Sequence, residues 1–125
     1  MAFLGPESTY AAEASECAAD QSKFWELHDR LFAEQKGRNQ GAFSKANLKR
    51  YGAELGLDQA SFNACVDDGL MAARVQADTE AGRQKGVTRT PTLFVNGRKL
   101  EGVPRFEELL HAVGTALLPV PSTGS

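Results

Sequence analysis

Cysteine is scarce in this chain, and its placement supplies no metal-ligand set. There are 2 cysteines among 125 residues. No CxxC occurs, and no Cys/His cluster has metal-ligand spacing, so a zinc module is excluded on ligand spacing. Charge of one sign is lacking too. The formal net charge is -2, and Lys and Arg are scattered without a stripe or block. That pattern speaks against nucleic acid as a partner and against a charged tail. No apolar run approaches the length of a membrane span. The opening MAFLGPEST has neither the basic start nor the apolar centre of a secretory signal.

What is present suits one domain with a core, at 42% hydrophobic and 24% charged residues. The first half has helical periodicity. Ser8 or Thr9 is expected to cap a helix to about Asp20, with Tyr10, Ala14, Cys17 and Ala18 on one face. A second helix is expected from about Lys23 to Gln35, with Phe24, Leu27, Leu31 and Phe32 as its apolar stripe. The stretch 37–41 reads as loop. Ser44 caps a third helix closed by Gly56, and Asp58 caps a fourth that buries Phe62, Cys65 and Val66. A fifth helix, from about Leu70 to Lys85, has an alanine-rich face that suggests close packing on a neighbour.

After Gly86 the period changes from helix to strand. TLFVN is short, β-rich and bounded by Pro91 and Gly97, and Asn96-Gly97 is a strong two-residue hairpin signal. Arg98 to Leu100 is the return strand. Pro104 suits the first turn of a last helix, whose expected buried stripe is Phe106, Leu109, Leu110, Val113 and Leu117. A two-stranded hairpin is marginal in water, and Leu93, Phe94 and Val95 ask for cover on both faces. Ala2-Phe3-Leu4 is the other candidate strand.

Single residues carry little chemistry on their own. His28 in FWELHD and His111 on the last helix have no Cys, Asp or second His to complete a set, so they read as surface or core-edge histidines. Asp67 and Asp68 are adjacent on a helix and point apart. Trp25 with Phe24 reads as core packing. Cys17 and Cys65 are either two buried reduced thiols or one structural disulfide.

Three stretches together resemble a known family: AAEASECAADQSKFWELHDRLFAEQ, LGLDQASFNACVDDG and GVTRTPTLFVNGRKLEGVPRFEELLHAV. They resemble the DsbA-like thiol-disulfide oxidoreductases, which have a thioredoxin fold with a helical insertion. The resemblance implies an α/β, helix-dominated chain: 1–7 a strand remnant of the thioredoxin core, 8–86 the inserted helical domain, 87–118 the proline loop, hairpin and C-terminal helix, and 119–125 a disordered tail. It implies a cis Thr90-Pro91 bond, with Arg89, Thr90 and Pro91 shaping a groove for an extended peptide. Arg89 stands where many relatives have a small residue.

In that family the catalytic CxxC lies upstream of the stretch that MAFLGPES matches, so the expectation is a truncated sheet and no catalytic pair in this chain. Some relatives tie the inserted helices together at similar positions, which implies a Cys17-Cys65 disulfide worth roughly 4 kcal/mol. The family also implies an extracytoplasmic setting, no cofactor, no metal, and cysteine-containing polypeptides as partners. The alternatives are a non-catalytic peptide-binding module, a homodimer that completes its own sheet through an exposed edge, and a glutathione-handling enzyme.

Overall fold

A computed structural model describes residues 2–119. It divides into two units, Met1–Gln84 and Lys85–Ser125. The expected disordered end lies outside the described residues apart from Pro119.

The first unit is five helices: α1 (Pro6–Ala19), α2 (Phe24–Glu34), α3 (Lys45–Glu54), α4 (Gln59–Asp67) and α5 (Ala72–Gln84). α1 begins earlier than expected. Gly5 is its N-cap, at φ 117, and Pro6 takes the first helical turn, where a missing N–H costs nothing. Ser8 and Thr9 are therefore inside the helix. Residues 2–5 form no strand. A strand needs a hydrogen-bonding neighbour, and here the Ala2 N–H donates instead to Thr79 Oγ1 at 3.1 Å. Glu7, in the first turn of α1, accepts from the backbone N–H groups of Gly41 (2.6 Å) and Phe43 (3.1 Å), fixing the loop before α3.

The other two caps form as the sequence indicates. Ser44 Oγ accepts from the Asn47 N–H, and Asp58 Oδ1 accepts from both the N–H and the hydroxyl of Ser61. The core gathers Ala14, Cys17 and Ala18 of α1 against Leu27, Leu48, Tyr51, Phe62 and Cys65. The Tyr51 hydroxyl donates to the Ala42 carbonyl at 3.0 Å, so its polar end is satisfied. Arg30 and Arg50 lie against its ring, 4.9 and 5.0 Å from the centroid.

Two sequence-based stripes are corrected. On α2 only Leu27 is fully buried, and Phe32 is 68% exposed, because the helix meets its neighbours along a narrower seam than its apolar face. On α5 the buried residues are Val75 and Thr79, whereas Ala72, Ala73 and Ala77 face outward. Methyl groups carry too little area to decide which face of a helix turns inward.

The second unit is an antiparallel hairpin of β1 (Thr92–Val95) and β2 (Arg98–Glu101), followed by α6 (Phe106–Ala116). Asn96 and Gly97 turn the chain at φ 45 and 81. The register pairs Val95 with Arg98, Leu93 with Leu100 and Thr92 with Glu101. α6 packs on β1, and its first turn is closed by the Arg105 N–H donating to Glu108 Oε2 at 3.0 Å. Pro104 stands just before the N-cap Arg105, not inside the helix. Of the expected stripe only Leu109 is partly covered. Ala112 is buried, while Phe106, Leu110, Val113 and Leu117 are exposed. A two-stranded sheet offers too little surface to cover five large side chains.

Gly52 of α3 lies hard against α4. A Cβ built there would lie 2.5 Å from Cε1 of the buried Phe62 ring. Gly52→Ala should therefore destabilise the chain by about 1–3 kcal/mol through overpacking, despite alanine's better helix propensity. Urea unfolding followed by far-UV circular dichroism measures this; an equal or higher midpoint would show that Phe62 can move aside.

Candidate functional site

The residues expected to meet a peptide lie together at the entrance to β1. Arg89, Thr90 and Pro91 are all exposed, and the Thr90–Pro91 bond is cis, as the resemblance implied. Two hydrogen bonds shape the segment. Thr92 Oγ1 donates to the Arg89 carbonyl at 2.6 Å, closing a short side-chain turn. The Gly102 N–H donates to the Pro91 carbonyl at 2.8 Å, extending the hairpin ladder by one pair.

The ladder fixes which backbone groups point outward. In a two-residue hairpin the residues flanking the turn, Val95 and Arg98, exchange hydrogen bonds, and bonded pairs then recur every second residue. Leu93–Leu100 is the next bonded pair, and Pro91–Gly102 follows. The N–H and C=O groups of Thr92 and Phe94 are therefore directed away from β2. Among the described residues no strand pairs with that edge. The Thr90 backbone N–H and C=O also have no partner among the described residues, and Thr90 is exposed.

The side chains around the segment carry charge. Lys99 Nζ lies 2.7 Å from Glu101 Oε1 and also donates to the Gly86 carbonyl at 3.1 Å. Arg89 Nε lies 3.9 Å from Glu101 Oε2. The Lys99 hydrogen bond and then its charge hold the Glu101 carboxyl below the usual glutamate range; desolvation opposes them less strongly, and the Arg89 charge adds the smallest lowering effect. Lys85 Nζ sits 5.9 Å from the centroid of Phe94. Sequence reading selected Arg89 but not Lys99 or Glu101. The signal was present: a two-residue turn at Asn96-Gly97 places Glu101 opposite Thr92.

The cysteines lie in the first unit. Cys17 of α1 and Cys65 of α4 form a disulfide, with Cα atoms 6.0 Å apart and 48 positions between them in sequence. Both are buried in the helical core, Cys17 at 2% exposure. Neither is a thiolate at a helix start, so nothing here presents a nucleophilic sulfur to a partner. His28 is stacked among Phe24, Trp25 and Phe32 and touches Asp29 at 3.0 Å. Trp25 itself is 68% exposed, so the expected core packing of this residue is corrected to a surface aromatic cluster along α2. His111 is exposed on α6. Asp67 pairs with Lys49 at 2.9 Å, while Asp68 is the C-cap of α4, its backbone N–H donating to the Ala64 carbonyl. Among the described residues no group of three or more His, Cys, Asp or Glu is placed to hold a metal ion.

A family profile described as Thioredoxin matches residues 2–114. Curated relatives include an antiporter named Na(+)/H(+) antiporter NhaA 3 from Salinispora tropica, 40% identical over 111 residues, a match covering 89% of this chain and 16% of that protein. Na(+)/H(+) antiporter NhaA from Herminiimonas arsenicoxydans is 40% identical over 97 residues, covering 78% of this chain and 15% of the relative. A Mycobacterium (strain KMS) protein named Na(+)/H(+) antiporter NhaA 1 is 35% identical over 110 residues, 86% of this chain and 17% of its own length. The chain thus spans about a sixth of the relatives it matches. No solved structure matches. Among the described residues no helix is long and apolar enough to cross a membrane.

The geometry makes three predictions. Thiol labelling of the denatured, unreduced chain should modify no cysteine, and labelling after reduction should modify both. Cys17→Ser with Cys65→Ser should lower unfolding free energy by roughly 4 kcal/mol at most, from lost loop closure; an unchanged denaturation midpoint would show that the bridge does not constrain the unfolded chain. Separately, Glu101 has a folded pKa below its unfolded one. The stability from its ion pairing is therefore in place above the ordinary glutamate range and is lost as pH falls through the depressed value. Carboxyl-detected NMR titration should show Glu101 shifting upward in Lys99→Met. No shift would remove Lys99 as the cause.

Proposed function

The chain belongs to the thioredoxin family, and we propose that its part in thiol–disulfide chemistry is to hold an extended, cysteine-containing polypeptide, not to exchange electrons with it. The observation that carries this reading is the outward edge of β1. Thr92 and Phe94 direct backbone donors and acceptors away from β2, and the exposed Thr90 adds an N–H and C=O that have no partner among the described residues. An extended chain laid along this edge would make main-chain hydrogen bonds with alternate residues, the mode known as strand addition. Arg89 beside Glu101 and Lys99 beside Phe94 would bias the occupant's charge.

The redox half of the reading follows from the cysteines. The sequence contains no CxxC. Its two sulfurs are joined inside the helical core. A buried disulfide is a poor electrophile for an incoming thiolate, because attack needs in-line access to one sulfur. The relatives' antiporter names are not carried over to this chain, which matches about a sixth of their length. An extracytoplasmic location is proposed with the disulfide as its support, since such bonds persist mainly in oxidising compartments.

A second copy of the chain is a rival occupant of the same edge. It is favoured by the exposed Phe106, Leu110 and Val113 of α6, which a partner sheet would cover. The deciding experiment uses two readouts on the 125-residue chain. A dithiol peptide should be oxidised no faster than by a control whose cysteines were first reduced and then alkylated. The same peptide should shift the amide resonances of Thr90, Thr92 and Phe94, and N-methylation at alternate peptide positions should abolish the shifts. A rate that disappears once the cysteines are reduced and alkylated overturns the non-catalytic reading. Absence of amide shifts, with light scattering showing a concentration-dependent dimer, gives the edge to the second copy.

A further inference from the structure

The edge of β1 belongs to the more basic part of the chain. Residues 85–119 carry five Lys and Arg against three Glu, whereas the whole chain has 14 Lys and Arg against 16 Asp and Glu. An excess of one sign favours partners of the other. Two of those three carboxylates are at the start of α6, where Glu108 pairs with Arg105 at 3.4 Å and Glu107 shares the same first turn. At the entrance to β1 that leaves Lys85, Arg89 and Lys99 with Glu101 alone.

Glu101 does not balance them. Its carboxylate lies 2.7 Å from Lys99 Nζ and 3.9 Å from Arg89 Nε, so one negative charge is shared between two cations. Lys85 has no carboxylate partner among the described residues, and its Nζ stands over the ring of Phe94, which is 41% exposed. Strand alternation fixes the side on which these charges stand. Thr92 and Phe94 share one side of the hairpin with Glu101 and Lys99, while Leu93 and Val95 share the other with Leu100 and Arg98. Lys85 joins the first side through Phe94, and Arg89 joins it through Glu101. The side chains of a strand added to β1 alternate between the same two sides, so every second one neighbours Thr92 or Phe94.

We propose that the occupant of this edge is an extended polypeptide segment with Asp or Glu at alternate positions, those on the side of Thr92 and Phe94. The inference rests on the strand-addition reading and adds which polypeptides the edge selects. One carboxylate would meet Lys85 beside the Phe94 ring, and another further along the segment would meet Arg89 at the entrance. Lys85 and Arg89 engage different groups, the Phe94 ring and Glu101, so they offer two single charges along a strand and not one cluster converging on a dianion such as a phosphate. The intervening side chains fall on the side of Leu93 and Val95, which suits uncharged residues. Main-chain bonds supply the attraction common to all extended segments, and the two cations supply the discrimination.

The test titrates the 125-residue chain with capped heptapeptides and reads Kd from the amide resonances of Thr90, Thr92 and Phe94. A peptide alternating Thr and Glu should bind about three- to tenfold more tightly than one alternating Thr and Gln, the scale of two exposed ion pairs. The preference should vanish in about 1 M sodium chloride, where charges are screened beyond roughly 3 Å. Lys85→Glu with Arg89→Glu, both at exposed positions, should transfer the preference to a peptide alternating Thr and Lys. Equal affinity for the Glu and Gln peptides leaves the edge reading in place and overturns the acidic class. A peptide of the same composition with its Glu residues in one block, binding as tightly as the alternating one, overturns the alternate placement and leaves only general attraction to a basic surface. Absence of shifts with every peptide overturns the edge reading and this inference with it.

Discussion

The contact on which the helical unit depends is the junction of α1 and α4, where Cys17 and Cys65 are bonded and Phe62 enters against Gly52 of α3. Three helices meet there with little room. The disulfide joins α1 to α4 across a separation of 48 residues, so every helix boundary between them is held within one closed loop. The absence of a side chain at Gly52 lets the Phe62 ring occupy the space a Cβ would fill. Tyr51, one position earlier, reaches Ala42 with its hydroxyl and carries two guanidinium groups on its faces. Core, loop and surface charges are thus assembled around adjacent residues of one short helix.

Much of this was legible in the sequence, and the legible parts share a cause. Helices α3 and α4 are bounded by Ser44 and Asp58, whose side chains accept from the first-turn N–H groups, and by Gly56 and Gly69 at positive φ. Such signals are local, and local chemistry decides them. The hairpin at Asn96-Gly97 is legible for the same reason. The cis bond at Thr90–Pro91 and the Cys17–Cys65 pairing were not legible from the residues alone. They came through resemblance, since neither bond isomer nor disulfide partner is encoded in a local pattern.

What sequence reading missed concerns which face turns inward. The stripe on α6 is as apolar as any in the chain, but Phe106, Leu110, Val113 and Leu117 remain exposed. On α5 the outcome is reversed in kind: a threonine is buried and alanines are not. Periodicity states that a helix has an apolar side; it does not state how much surface a neighbour can offer to it. In the second unit that surface is two strands of four residues. Around α5 the result is an open cleft lined by Ala72, Ala73 and Ala77.

The position of the disulfide also bears on how recognition and redox chemistry divide in this chain. A sulfur that is to exchange must be reachable and its thiolate stabilised; a sulfur that is to stabilise a fold is better buried and already bonded. Cys17 and Cys65 meet the second set of conditions. With side-chain sulfur committed to the core, the second unit offers a partner main-chain groups at Thr90, Thr92 and Phe94. Main-chain groups are the same in every residue, so an edge of this kind reads extension and spacing before it reads identity. Discrimination then falls to what flanks the edge. Here that is Arg89, Lys99 and Glu101, an ion-paired set of mixed sign whose balance shifts only when Glu101 takes up a proton at a pH below the usual glutamate range.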